Sequence, residues 1–215
     1  MRALWEDGDF RVRGEPLMSK TVDYYFSPMS PWTYLGHLRF AGMLACFEAR
    51  VNIKPVDYGR IFPVSGGLPL KQRAAQRQAY RLTELRRWRE HLGVELNLQP
   101  KYFPYATDAA SFMIVAADQK RGADAAMQLA YGIMQACWVQ ERNCADAATL
   151  DQIAAAAGLD GAELRAQERE AKAAYDAYTQ EAIDRQVFGA PTYAIDGELF
   201  WGQDRLDFVK RALSS

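Results

Sequence analysis

The stretch VFGAPTYAIDGELFWGQDRL, residues 187–206, is where the fold is decided. Two runs rich in β-branched and aromatic residues, Thr192–Ile195 and Glu198–Trp201, flank Asp196-Gly197. That dipeptide suits a type I′ hairpin turn, whose two central residues both need φ > 0. A helix is predicted from Asp204, with Leu206, Val209 and Leu213 on one face. Just upstream, Gly189-Ala190-Pro191-Thr192 leads into the first strand. An X-Pro bond there has access to the cis form, although a trans turn is the commoner state.

This strand–strand–helix return gains its meaning from what precedes it. Thr21–Phe26 (TVDYYF) reads as a strand, residues 31–48 as a helix, and residues 51–56 (VNIKPV) as a second strand that Pro55 ends or places at an edge. Strand, helix and strand with short links predict a parallel βαβ unit. Residues 63–69 (PVSGGLP) read as a breaker-rich linker. From residue 70 to about 186 almost nothing is strand-like. Alanine-rich amphipathic stretches dominate there, at 71–92, 106–120, 124–140, 147–157 and 164–185. The order βαβ, helical block, ββα describes a small α/β domain split by a helical insertion.

Composition narrows the function classes. Of 215 residues, 49% are hydrophobic and 25% charged, the balance of a globular protein. Lys+Arg 26 against Asp+Glu 27 leaves a net charge of -1, so no global field points to nucleic acid. No apolar run approaches the roughly 20 residues of a membrane span. The leading MRALWEDGDFRVRGEPL carries acids where a signal peptide needs its apolar middle, which argues against secretion. Met18 offers an alternative start, with the residues before it forming a tail. Cys46, Cys137 and Cys144 form no CxxC, and His37 and His91 are the only histidines, so neither a disulfide framework nor a metal site is expected.

Three stretches carry possible chemistry. In FSPMSPWTY (26–34), Ser30-Pro31 matches a helix start, with serine as N-cap and proline at the first helical position, while Ser27-Pro28 shapes the bend after the strand. A helix N-terminus also attracts an anion, and a serine hydroxyl there could hydrogen-bond a thiolate brought by a ligand. In Trp201-Gly202-Gln203-Asp204-Arg205, Asp204 fits an N-cap of the last helix, and Arg205 could clasp a carboxylate. Helix 71–92 carries seven cations (Lys71, Arg73, Arg77, Arg81, Arg86, Arg87, Arg89) against Glu84 and Glu90. Solvent or internal pairing is the usual fate of such a face. Alternatively, Arg77, Tyr80 and Arg81, neighbours by helical spacing, could meet an anionic ligand.

In this order, VDYYF…SPWTYL (22–26, 30–35), YRLTELRRWREHLGV (80–94) and VFGAPTYAIDGELFWGQDRL (187–206) resemble the 2-hydroxychromene-2-carboxylate isomerases. These are relatives of kappa-class glutathione transferases and periplasmic disulfide oxidoreductases. The resemblance runs from about Val22 to Leu213. It implies an α/β fold, a thioredoxin-like domain (19–62 and 187–215) interrupted by a large all-helical insertion (63–186), after an N-terminal extension (1–18).

The resemblance also implies a site. Ser30 stands where the redox relatives have the first cysteine of a CxxC, and Thr33 where they have the second. Without sulfur at either position, disulfide exchange by this site is excluded. The family instead binds glutathione and holds its thiolate with the serine. Ala190 and the expected cis Pro191 would present backbone to the cysteinyl part of the tripeptide. Trp201, Gly202, Gln203 and Asp204 would line its γ-glutamyl end, with Asp204 facing the ammonium and Arg205 nearby. On the substrate side, position points to Lys71 and Tyr102, and less directly to Arg77.

The activity so implied is glutathione-dependent cis-trans isomerisation of an aromatic carboxylate of the 2-hydroxychromene-2-carboxylate type, by reversible thiolate addition. A cytoplasmic homodimer without metal, nucleic acid or membrane partner is expected. A kappa-like glutathione transferase and a non-catalytic glutathione-binding module are the alternatives. The energetics are feasible. Bringing a thiol from a pKa of about 8.5 to about 6.5 takes roughly 2.7 kcal/mol. A hydrogen bond to a charged group supplies about 1.5–3 kcal/mol, and a helix N-terminus about 0.3–1 kcal/mol more.

Overall fold

A computed structural model describes residues 20–215, so the expected extension at 1–18 and the alternative start at Met18 lie outside the described residues. Four strands form one mixed sheet in the order β2-β1-β3-β4. β1 (Thr21–Phe26) pairs in parallel with β2 (Arg50–Pro55), joined through α1 (Pro31–Cys46), as the βαβ pattern predicted. β2 is an edge strand and Pro55 is its last residue, so the missing N–H disturbs no further pairing. On its other side β1 pairs antiparallel with β3 (Thr192–Ile195), and β3 pairs with β4 (Glu198–Trp201). Asp196 and Gly197 both take positive φ, at 51° and 88°, as a two-residue I′ connection demands.

Between β2 and β3 every regular element is helical. α2 (Tyr58–Ser65) starts on an Asp57 cap and runs through Pro63 to Gly66, so it absorbs part of the stretch expected to be linker. A 3-10 turn at Leu70–Gln72 precedes α3 (Ala75–Leu92), which therefore begins later than the periodicity indicated. α4 (Asp108–Arg121), α5 (Ala123–Trp138) and α6 (Ala147–Ala156) follow close to their expected bounds. The last stretch divides into α7 (Gly161–Arg165) and α8 (Glu168–Asp184). Asp160 caps α7 through bonds from the N–H groups of Ala162 and Glu163.

One core joins the sheet to the helical block, and a second gathers Tyr25, Val56, Tyr58, Ile61, Ala182 and Val187 between the sheet, α2 and α8. Tyr24 stacks on Phe26 and Tyr193, and Phe40 from α1 closes on both tyrosines with ring centroids 4.8 and 4.7 Å away. The inner residues of α4 and α5, with Met113, Ile114, Leu129, Ile133 and Trp138 fully buried, continue that core into the helical block. α9 (Leu206–Ser214) adds Leu206, Val209 and Leu213 from the far side. α8 is tied to the sheet by charge. Lys54 of β2 lies 2.8 Å from Asp23 of β1 and 2.9 Å from Glu181 of α8, while Arg185 reaches Asp23 at 2.7 Å.

His37 is a core residue. Its Nε2 lies 3.0 Å from the Met127 carbonyl, which can only accept, so the proton resides on Nε2. Nδ1 then accepts from the Tyr24 hydroxyl at 3.1 Å. Burial pulls its pKa down to about 4, against the opposing pull of the Met127 carbonyl. Between that value and the unfolded pKa of about 6.5 the unfolded chain binds the extra proton, so stability falls as pH drops through this window, by about 3 kcal/mol in all. Urea unfolding across it is expected to show that slope, and His37→Gln to flatten it.

Candidate active site

The register of the sheet assembles the site. Because Tyr25 pairs with Thr192, the turn leaving β1 and the turn entering β3 emerge side by side at one end of the sheet. The first of these is a β-turn closed by the Ser30 N–H on the Ser27 carbonyl at 3.0 Å, with the Ser27 hydroxyl accepting from Met29 at 3.3 Å. It delivers Ser30 to the N-cap of α1 in extended conformation. There the Ser30 Oγ accepts from the Thr33 N–H at 3.2 Å, with Pro31 as the first helical residue. The hydroxyl oxygen is used as an acceptor, so its proton remains free to donate outward. Thr33, one turn further on, is fully buried and its Oγ1 has no partner.

The second turn holds Ala190 and Pro191, joined by a cis peptide bond as expected. The ladder to β1 stops at Thr192, which leaves the Ala190 N–H and C=O outside it. Two side chains that sequence reasoning missed fix this turn. The hydroxyls of Tyr58 and Thr192 both donate to the Gly189 carbonyl, at 2.9 and 2.7 Å. Tyr58 lies far away in sequence, and no local pattern marked it.

The third segment folds back onto the second. The Gly202 N–H donates to the Pro191 carbonyl at 2.9 Å, and Gly202 takes φ 108°, a conformation that favours glycine. Gln203–Arg205 then form a 3-10 turn before α9. Gln203 is buried, and Arg39 of α1 donates to its Oε1 at 2.7 Å. An arginine has no acceptor, so this contact settles which way the amide points. Gly36 permits the approach, since a Cβ there would lie 2.9 Å from the Gln203 Cβ.

Asp204 makes no N-cap bond, contrary to expectation. Its Oδ2 accepts from Arg205 at 2.7 Å, and its Oδ1 lies over Gly202, where a Cβ would be 2.5 Å away. Trp201 is half exposed and meets Phe188 edge-on at 4.8 Å.

Ser30, Ala190, Pro191, Trp201, Gly202, Gln203, Asp204 and Arg205 thus gather at one end of the sheet. No hydrogen bond, ion pair or ring contact ties the tentative substrate residues to them. Lys71 and Arg77 are exposed on the 3-10 turn and α3, and Tyr102 stands beside Lys101, whose ammonium lies 5.1 Å from its ring. Of the basic face, Arg77 and Tyr80 face solvent, while Arg81 turns inward onto Phe103 and Trp138. The cysteines are elsewhere. Burial pushes the Cys137 and Cys144 thiols up to about 12 and about 11, and Cys46 is exposed on the last turn of α1. Among the described residues no cluster of side chains could hold a metal ion, and no helix is long and apolar enough to cross a membrane.

A helix capped by Ser30 beside a cis-proline turn, on a βαβ–ββα sheet with helices inserted between its halves, is the architecture of a thioredoxin-type domain. The chain belongs to the family of the DSBA-like thioredoxin domain, whose model matches residues 21–214. It is 29% identical over 199 residues to a 2-hydroxychromene-2-carboxylate isomerase of Sphingobium xenophagum, covering 91% of this chain and 99% of that one. A 2-hydroxychromene-2-carboxylate isomerase of Pseudomonas putida is 26% identical over 197 residues, covering 89% and 93%. Among solved structures, a 2-hydroxychromene-2-carboxylate isomerase superposes with a TM-score of 0.73 at 24% identity, covering 90% of this chain and 94% of that one.

Proposed function

We propose that this protein is a glutathione-dependent isomerase of 2-hydroxychromene-2-carboxylate-like aromatic intermediates. The observation that carries the reading is Ser30. Its hydroxyl caps α1 through oxygen while its proton stays available, at the position where a disulfide oxidoreductase would need a cysteine. The names of the relatives supply the reaction class.

The residues present fit the tripeptide. The Ala190 N–H and C=O, left outside the ladder, offer the pair of backbone bonds that a bound peptide unit takes. Asp204 keeps Oδ1 for an ammonium while Oδ2 holds Arg205. Gln203, its oxygen held by Arg39, presents its NH₂ as the donor for the γ-glutamyl end. Thr33 Oγ1 is a second hydroxyl without a partner near the sulfur's place. Glutathione, when bound there, supplies the thiolate that adds reversibly to the conjugated carbon and leaves it unchanged overall. Ser30 donates to that sulfur, and the free N–H groups at the start of α1 add their partial positive charge. No general base is required for this.

The test is turnover of 2-hydroxychromene-2-carboxylate with and without glutathione, followed together with thiol titration. Turnover that requires glutathione and consumes none of it is expected. Thiol lost in proportion to substrate would make the protein a transferase, and glutathione binding without turnover of chromene or electrophile would make it a binding module.

A further inference from the structure

α3 carries a cation that is turned inward and, among the described residues, has no anion beside it. Arg87 is paired with Glu84 at 2.6 Å, Arg89 approaches Glu90 at 3.8 Å, and Arg73 donates to the Leu68 carbonyl at 2.8 Å. Arg81 has no such partner. Its guanidinium lies 5.2 Å from the ring centroid of Phe103 and 5.9 Å from that of Trp138, two rings themselves packed 4.9 Å apart. It is half-buried, and among the described residues no carboxylate or carbonyl accepts from its donors. Burial, with Arg73 nearby, pulls its pKa down to about 10, the mark of a cation held without compensation.

Its place in the fold explains why such a cation is kept. Two residues after Phe103, the Tyr105 N–H contacts the Met29 sulfur at 3.3 Å, so the loop under Arg81 is braced against the residue preceding Ser30. α3 also packs against α1, whose N-terminus is the site. A guanidinium backed by two aromatic faces is suited to a planar aromatic acid. It offers a fork of donors to the carboxylate and apolar surface to the ring.

We propose that Arg81 anchors the substrate's carboxylate and thereby determines specificity in the isomerisation proposed above, on which this inference rests. Lys71 and Arg77, singled out from sequence position, are not needed for it.

The experiment compares the protein with Arg81→Met, which keeps an unbranched stem on the two rings, and with Arg86→Met, which removes an exposed cation of the same helix. Kinetics on 2-hydroxychromene-2-carboxylate and on its methyl ester are measured beside calorimetric binding of glutathione, of 2-hydroxycinnamate and of its methyl ester. Arg81→Met is expected to raise KM and Kd for the acids about 10- to 100-fold. The esters, kcat and glutathione affinity should change little, Arg81→Lys should restore part of the loss, and Arg86→Met should change nothing. Equal losses on acid and ester, or no loss, would overturn the proposal. So would weakened glutathione binding with 2-hydroxycinnamate unaffected, which would assign Arg81 to a carboxylate of the tripeptide. If the unmutated protein turns over no chromene, the isomerase reading alone fails, and the 2-hydroxycinnamate binding arm still decides Arg81.

Discussion

Ser30→Ala is expected to slow glutathione-dependent turnover about 3- to 25-fold at neutral pH, the fall in the ionised fraction of a thiol whose pKa starts at about 6.5. The substitution removes one hydrogen bond to a charged sulfur, about 1.5–3 kcal/mol, and leaves the N-terminus of α1 with its weaker contribution. The pKa of the bound thiol should therefore rise by about one to two, since each step of one corresponds to about 1.36 kcal/mol. Thiolate absorbance of bound glutathione, followed against pH, reads this directly. Activity should recover as pH is raised through the new pKa, because the lost factor is the fraction ionised. Loss of the cap also costs about 1 kcal/mol of stability, so unfolding must be measured alongside. Ser30→Thr, which keeps both hydroxyl and cap, should retain most of the rate. An unchanged thiol pKa in Ser30→Ala would remove the serine from the chemistry and leave it as a cap only.

Lys54→Met should destabilise the fold by about 3–5 kcal/mol, the usual cost of stripping one partner from a buried ionic cluster. Lys54 is nearly buried and sits between Asp23 and Glu181, and Tyr25 also donates to Glu181 at 2.8 Å. Burial opposes ionisation of Asp23, yet bonds from Lys54 and Asn52 and the charges of Lys54 and Arg185 outweigh it and hold its pKa below the usual carboxylate value. Asp23 thus contributes stability that is present above the unfolded pKa of about 3.9 and is lost as pH falls through the lower folded value. In Lys54→Met two carboxylates face each other with Arg185 alone to neutralise them. The defect should accordingly shrink as pH is lowered into the carboxylate range, and Glu181→Gln added to Lys54→Met should recover part of the loss. A urea midpoint unmoved by Lys54→Met would show that α8 is held by packing alone.

What could be read in the sequence was what its neighbours in the chain decide. The Asp196-Gly197 turn set both C-terminal strands, and Ser30-Pro31 marked the helix start, because turn and cap preferences act over a few residues. Asp204 had the same local credentials and still failed as a cap. Gly202 turns the chain into a 3-10 turn, and Arg205 takes the carboxylate. The division between α7 and α8 was hidden because Ala166 and Gln167 carry no breaker. Arg77 and Arg81 are indistinguishable by helical spacing, and only distant Phe103 and Trp138 separate them. For the same reason the roles of Tyr58, Arg39 and Lys54 were illegible, since each acts on a partner more than a hundred residues away.

The division of the sheet between the two ends of the chain has a consequence for how the molecule is made. Arg39 and Gln203, which meet at the site, are separated by 164 residues. Ribosomes deliver the amino end first, so Ser30 emerges early and waits through the synthesis of the whole helical block for Pro191 and Gln203. Such long-range closure is slow relative to local helix formation. A chain that stops before β3 therefore cannot hold a complete candidate site. A nonsense mutation ahead of β3 removes Trp201 to Arg205, and with them one whole wall of the candidate site.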